Sequence, residues 1–171
     1  SDCPPHKSQF RMNRFDPPPA SLLYVPGHKP RALEKARGLP VDMIIIDLED
    51  AVPAAEKASA REGARAAFAT GFGGKLVAVR INPQGSAHHA EDCACVAALS
   101  CDALVLPKVD TVAQLEGAHI PPASRLLPMI ETPRGVLSAS TIAAHPRVVG
   151  MIAGLNDLAH VLQLPDSRDR S

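Results

Sequence analysis

Met43-Ile44-Ile45-Ile46-Asp47-Leu48-Glu49-Asp50 decides the fold: four consecutive apolar residues with no polar alternation, then three carboxylates in four positions. A strand with one wet face alternates apolar and polar side chains, whereas an unbroken apolar run fits a parallel strand covered on both faces. Runs of the same kind occupy residues 22–25, 76–79, 103–106, 126–130 and 148–152. Between them, stretches with helical character cover 30–37, 54–69, 89–99, 111–118, 136–144 and 156–162. Gly38 is placed as a C-cap, and Thr111 and Asn156 as N-caps. The pattern is six βα units in succession.

Such a succession leaves two architectures, an open doubly wound sheet or a closed β/α barrel. A dinucleotide-binding sheet would carry G-x-G-x-x-G after its first strand, but the turn here reads Pro26-Gly27-His28-Lys29-Pro30. A full barrel takes eight units and ~250 residues, and this chain has 171. The choice is therefore an open sheet or a barrel short of two units, over residues 21–171. Residues 1–20, with Pro4, Pro5 and Pro17-Pro18-Pro19, have little periodicity and are expected to be a flexible tail.

Eighteen Lys and Arg balance eighteen Asp and Glu, so the net charge is zero and the basic excess of a nucleic-acid binder is missing. No apolar run approaches the ~20 residues of a membrane span, and residues 1–20 lack a secretory apolar stretch. A cytoplasmic protein without membrane or nucleic-acid partners is expected. Aromatics are 3% with no Trp, so the core must be built from Ala, Val, Leu and Ile. Cys93, Cys95 and Cys101 have neither zinc nor thioredoxin spacing and read as reduced apolar fillers.

Charge collects at the C-terminal ends of the strands, the rim where parallel βα folds bind ligands. His28 and Lys29 follow the first run; Asp47, Glu49 and Asp50 the second; Arg80 and Asn82 the third. Lys108 follows the fourth, Glu131 the fifth, and Asn156 and Asp157 the sixth. So many carboxylates on one rim call for a cation. Oxygen donors without a well-spaced His suit Mg2+, or Mn2+, better than zinc. Glu131 and Asp157 end adjacent strands and are the candidate metal ligands. Arg80 is positioned to clamp a substrate carboxylate bidentately. Each residue also has a plainer role: Asp157 as a helix N-terminal charge, Asp47 and Asp50 as charges around Pro53, Lys108 as a solvated rim lysine, and Arg80 as partner of Glu49 or Asp50. The histidines share no ligand spacing and read as surface residues.

The motifs 21–27 (S-L-L-Y-V-P-G), 46–53 (I-D-L-E-D-A-V-P) with Glu56-Lys57 and Ala60-Arg61, 79–83 (V-R-I-N-P), 105–109 (V-L-P-K-V), 130–136 (I-E-T-P-R-G-V) and 154–159 (G-L-N-D-L-A) resemble the HpcH/HpaI aldolase and citrate lyase family, in its citrate lyase beta-subunit-like branch. The resemblance implies a TIM-type (β/α) barrel, here incomplete with about six βα units, that is trimeric in the family. It implies Mg2+ held by Glu131 and Asp157, Arg80 on the substrate carboxylate, and Glu49 with Asp50 as acidic catalytic groups. Lys108, His28 and Lys29 join Arg80 and Glu49 in substrate binding, the first-loop pair near the CoA phosphates. The implied reaction is carbon–carbon cleavage of a 3-hydroxyacyl-CoA ester of the citryl-, malyl- or citramalyl-CoA type, giving a 2-oxo acid and an acyl-CoA. Two departures stand out. Ala20-Ser21 replaces the family's Arg-Ser, read as removing a cation from the substrate end. Two further units and a C-terminal segment, which supplies a catalytic acid to a neighbouring subunit, do not follow, as in a C-terminally truncated member. The competing expectation is a catalytically degenerate chain that binds metal and 2-oxo acid or assembles with a full-length relative.

Overall fold

The structure, a computed structural model, describes residues 14–117 and 119–165. Six parallel strands pair in chain order: β1 (Leu22–Pro26), β2 (Met43–Asp47), β3 (Leu76–Arg80), β4 (Ala103–Leu106), β5 (Leu126–Ile130) and β6 (Ile152–Ala153). The helices between and after them are α1 (Pro30–Arg37), α2 (Lys57–Thr70), α3 (His89–Ala97), α4 (Pro133–Ala143) and α5 (Leu155–Val161).

Strand parity sorts the apolar residues into two layers. Ile44, Ile46, Val77, Val79, Leu104 and Leu126 face outward onto Leu33, Ala60, Ala64, Val96 and Ile142. Met43, Ile45, Leu76, Ala78, Ala103, Val105, Leu127 and Met129 face inward with Phe15. Both faces of the sheet are thus covered, which is why its strands read as continuous apolar runs. In a flat sheet β1 and β5 would lie about 19 Å apart, four strand spacings. The Tyr24 hydroxyl on β1 instead meets Met129 Sδ on β5 at 3.8 Å. The sheet therefore curls into an incomplete (β/α) barrel whose hollow is filled by aliphatic side chains, two methionines and Phe15.

Three local expectations are corrected. First, the flexible tail does not include residues 14–20; residues 1–13 lie outside the described residues. Phe15 is only 5% exposed inside the barrel's N-terminal end, and Arg14 donates to Asp102 at 2.5 Å and to the Gly74 carbonyl at 2.8 Å. Burying the Phe15 ring offsets the ordering cost, which the prolines already lower by fixing φ. Second, 111–118 contains a 3-10 turn, Val112–Glu116, where an α-helix was expected. Gln114 Oε1 accepts the Asp110 and Thr111 N–H groups at 2.8 and 2.9 Å, tightening the turn, and Gly117 ends it. Third, the sixth strand is cut to two residues; only Val148 in the earlier part bridges to Leu126. Gly150 interrupts it, having no side chain to pack. Asn156 lies within α5, whose N-cap is Gly154.

Apolar side chains stand exposed on α4, on α5 and just after it: Leu137, Leu155, Val161, Leu162 and Leu164. Among the described residues no helix is long and apolar enough to cross a membrane.

Candidate active site

Asp47 and Arg80 are register partners on β2 and β3, both pointing into the barrel mouth. Arg80 Nε and Nη2 donate to the two Asp47 oxygens at 2.8 and 2.6 Å. The Glu49 and Ala51 N–H groups donate to the same carboxylate at 2.8 and 3.0 Å. Burial works against the Asp47 anion, but the Arg80 hydrogen bonds and charge with these two N–H groups hold its carboxyl below the usual range. The Arg80 guanidinium also lies 5.0 Å over the Tyr24 ring.

Behind this pair runs a buried polar brace. Lys57, at the start of α2, donates to the Leu48 and Glu49 carbonyls at 2.7 Å each and to Asn82 Oδ1 at 2.9 Å. Asn82 in turn donates to Leu48 O and Asp92, and Arg61 meets Asp92 at 3.0 Å. Every hydrogen of the Lys57 ammonium has an acceptor, the condition under which a charge is tolerated in the interior. The brace fixes the Leu48-Glu49 backbone and so aims the Glu49 side chain.

Glu49 is buried, with Lys108 Nζ 3.4 Å from Oε1 and Arg80 Nη1 3.3 Å from Oε2. The second contact is an ion-pair distance without hydrogen-bond geometry, so buried Oε2 has no hydrogen-bond partner. Burial pushes the Glu49 carboxyl up to about 7, with Arg80 and Lys108 opposing and Asp50 and Glu131 reinforcing. Asp50 stands at the surface, 3.7 Å from Arg80 Nη1.

Across the mouth lies a cavity of about 410 Å³ lined by Tyr24, Arg80, Glu131, Gly154 and Asp157 among others. Glu131 ends β5, buried, and Oε2 accepts the Lys108 N–H at 2.8 Å. Lys108 adopts φ +54° to turn that N–H inward. Burial raises the Glu131 carboxyl, and the nearby Asp157 charge adds to the rise. Gly154 is required here: a Cβ on it would lie 2.3 Å from Glu131 Cγ. Among the described residues no three His, Cys, Asp or Glu side chains converge at ligand distance. Two carboxylates facing one open cavity fit Mg2+, which keeps several waters and takes one or two protein carboxylates.

Of the residues read from sequence, Arg80, Asp50, Glu131 and Asp157 share the cavity lining, and Glu49 and Lys108 contact that group from behind. His28 and Lys29 do not join it. His28 pairs with Glu56 at 3.5 Å with a nearly buried ring, and Lys29 is exposed at the N-cap of α1. Arg80 meets Asp47 through Nε and Nη2, so a substrate carboxylate would have to use the Nη1–Nη2 edge. Ala20-Ser21 lies at the opposite, N-terminal end of β1, where Ser21 bonds Asp42 at 2.9 Å. The missing Arg there takes no cation from the rim. His89 is not a surface residue: it is buried and its Nδ1 meets Asn82 O at 2.8 Å. Asp47 and Asn82 were placed on the rim without a role in the site, and Lys57 and Asp92 were not placed there at all. Parity was the available signal for Asp47, which continues the inward series Met43, Ile45.

The HpcH/HpaI aldolase/citrate lyase profile matches residues 20–171. The chain belongs to that family. It is 46% identical over 144 residues to a (3S)-malyl-CoA thioesterase of Cereibacter sphaeroides, covering 83% of this chain and 50% of that protein. It is 34% identical over 146 residues to a citrate lyase subunit beta-like protein of Mycobacterium tuberculosis, covering 85% and 51%. The chain therefore spans about half the length of these curated relatives. Among solved structures, the M. tuberculosis citrate lyase beta subunit complexed with oxaloacetate and magnesium superposes with a TM-score of 0.74 at 33% identity, over 88% of this chain and 66% of that one. A complex of the M. tuberculosis protein with magnesium, acetoacetate and coenzyme A superposes with a TM-score of 0.73 at 32% identity, over 88% and 55%.

Proposed function

We propose that the protein is a Mg2+-dependent carbon–carbon lyase acting on a 3-hydroxyacyl-CoA ester of the citryl-, malyl- or citramalyl-CoA type. The observation that carries the reading is the shared cavity of Arg80, Glu131 and Asp157 beside the buried Glu49. Glu131, held through Oε2 by Lys108 N–H, turns Oε1 toward Gly154 and, with Asp157, would hold the metal. When bound, Mg2+ supplies Lewis-acid polarisation of the oxygen that becomes the 2-oxo group. Arg80 presents the outer edge of its guanidinium to the substrate carboxylate, held in place by Asp47 behind it. Glu49 takes the 3-hydroxyl proton; a carboxyl raised to about 7 matches the requirement that a base titrate near working pH. The C–C electron pair passes to the thioester enolate, whose carbon then takes up one proton, so the net change is movement of the hydroxyl proton to carbon.

A second reading, hydrolysis at the thioester, is favoured by the 46% identical relative's name. Products separate the two on malyl-CoA with Mg2+. The lyase gives an oxo acid and acetyl-CoA without free thiol; hydrolysis gives malate and free CoA thiol. Binding of Mg2+ and pyruvate with no product from any of the three esters would favour a degenerate partner of a full-length relative. Glu131→Ala is expected to abolish Mg2+ binding by calorimetry, together with turnover. Undiminished metal affinity in that variant removes Glu131 from the site and the proposal with it. The reading includes a homo-oligomer, a trimer by family resemblance, which sedimentation measures directly.

A further inference from the structure

Tyr24 belongs to neither the acidic rim nor the apolar filling of the barrel, and it touches both. Its ring lies under the Arg80 guanidinium, with 5.0 Å from ring centroid to Cζ. Its hydroxyl reaches across the hollow to Met129 Sδ at 3.8 Å. Both Tyr24 and Met129 line the cavity that Arg80, Glu131 and Asp157 share. The ring is thus the floor of the site, with Met43 and Ile45 in the interior below. A thioether is a weak acceptor, and a half-buried phenol normally finds a better one. A packing residue in this place would need no hydroxyl.

We propose that Tyr24 donates a hydrogen bond from its hydroxyl to an oxygen of the small 2-oxo acid held between Arg80 and the metal carboxylates. This rests on the reading that the cavity binds a 2-oxo acid. Arg80 supplies positive charge above the ring, and the phenol supplies a neutral, directional donor below. Together they favour a flat, oxygen-rich anion over an acid without the 2-oxo oxygen. The stacking also holds Arg80 against the face of the ring, so the aromatic body positions while the hydroxyl selects.

The chain provides its own probe: Tyr24 is its single tyrosine and there is no tryptophan. Tyrosine emission therefore reports this floor alone, with no activity needed. The experiment titrates pyruvate, then propionate, into the whole chain in Mg2+, for the wild type, Tyr24→Phe and Tyr24→Leu, with calorimetry alongside emission. Wild-type emission is expected to change on pyruvate addition. Tyr24→Phe should keep wild-type Mg2+ affinity and thermal stability, and bind pyruvate about tenfold more weakly, the effect of one hydrogen bond. Its pyruvate-over-propionate preference should shrink by the same factor. Tyr24→Leu should lose more, since Arg80 also loses its stacking partner. Pyruvate affinity in Tyr24→Phe equal to wild type overturns the assignment and leaves the lyase reading standing. A wild-type chain that binds Mg2+ but no pyruvate removes the oxo-acid reading itself, and this assignment with it.

Discussion

The two sides of the barrel mouth hold their carboxylates by different means. On the β2–β3 side Asp47 and Asp92 are fully buried, each against an arginine, and Lys57 and Asn82 tie the loop between them. On the β5–β6 side Glu131 is fixed by one backbone N–H, while Asp157 sits half-buried on a seven-residue helix after a two-residue strand. The first side has its charges neutralised internally. The second leaves two carboxylates facing open space, with the nearer one raised by burial and its neighbour's charge. The difference separates a scaffold from a candidate binding face: one side is complete in itself, and the other leaves its carboxylates open to the cation of the proposed function.

The sharpest way to break this contrast is to remove one carboxylate from each side. Asp47→Ala leaves Arg80 buried without its bidentate partner, and the expected loss is about 3–5 kcal/mol of stability, read by urea denaturation. Asp157→Ala should change stability by no more than about 0.5 kcal/mol and still abolish the heat of Mg2+ binding. Equal stability losses in the two variants would mean that the sides do not differ as described.

How much of this was legible in the sequence follows the same division. The strands were readable because burial on both faces leaves continuous apolar runs, and the rim followed from where those runs end. Glu131, Asp157 and Arg80 were found as strand-end charges, and all three line one cavity. The brace was not legible, because its contacts join Arg61 to Asp92 and Lys57 to Asn82, pairs 31 and 25 positions apart. No periodicity records such a pair until the register of β2 on β3 is known. Asp47 was read as a helix-terminal charge for the same reason. Lys29 was assigned from its loop alone, and a loop sets no side-chain direction. The shortened sixth strand was missed because apolar content does not reveal how little a glycine-interrupted edge pairs.

Glu49 lies between the two sides, and its titration sharpens the comparison. Burial lifts its carboxyl from the ordinary 4.5 to about 7 in the folded chain. Between those values the folded state binds more protons than the unfolded one, so stability contributed by the protonated form is present below about 4.5 and is lost as pH rises through about 7. Glu49→Gln removes that dependence. The variant should melt higher than wild type at pH 8 (roughly 5–10 °C), with the gain vanishing toward pH 4.5, by calorimetry across that range. It should also lose the rising limb of activity near pH 7 if Glu49 is the base. A melting difference independent of pH would mean that Glu49 is ionised in the fold throughout.

The smallest effect, and the one that isolates how the open side is held, is at Lys108. Its φ of +54° is a left-handed conformation that side chains other than glycine enter at a cost of about 1 kcal/mol. That conformation directs its N–H to Glu131 Oε2 while its half-exposed ammonium approaches Glu49 at 3.4 Å. Lys108→Gly removes the strain and the charge together. The ion pair is half solvated and contributes about 0–1 kcal/mol, so the two changes nearly cancel. Lys108→Ala removes the same charge but keeps the strain, and should be less stable than the glycine variant by about 1 kcal/mol. Both retain the backbone N–H, so both should bind Mg2+ as wild type does. Both should also raise the Glu49 limb above wild type, because the Lys108 charge favours the carboxylate. A glycine variant no more stable than the alanine one would show that the turn is not held in the left-handed form. Glu131 would then lose the backbone donor that fixes it on the side otherwise left open.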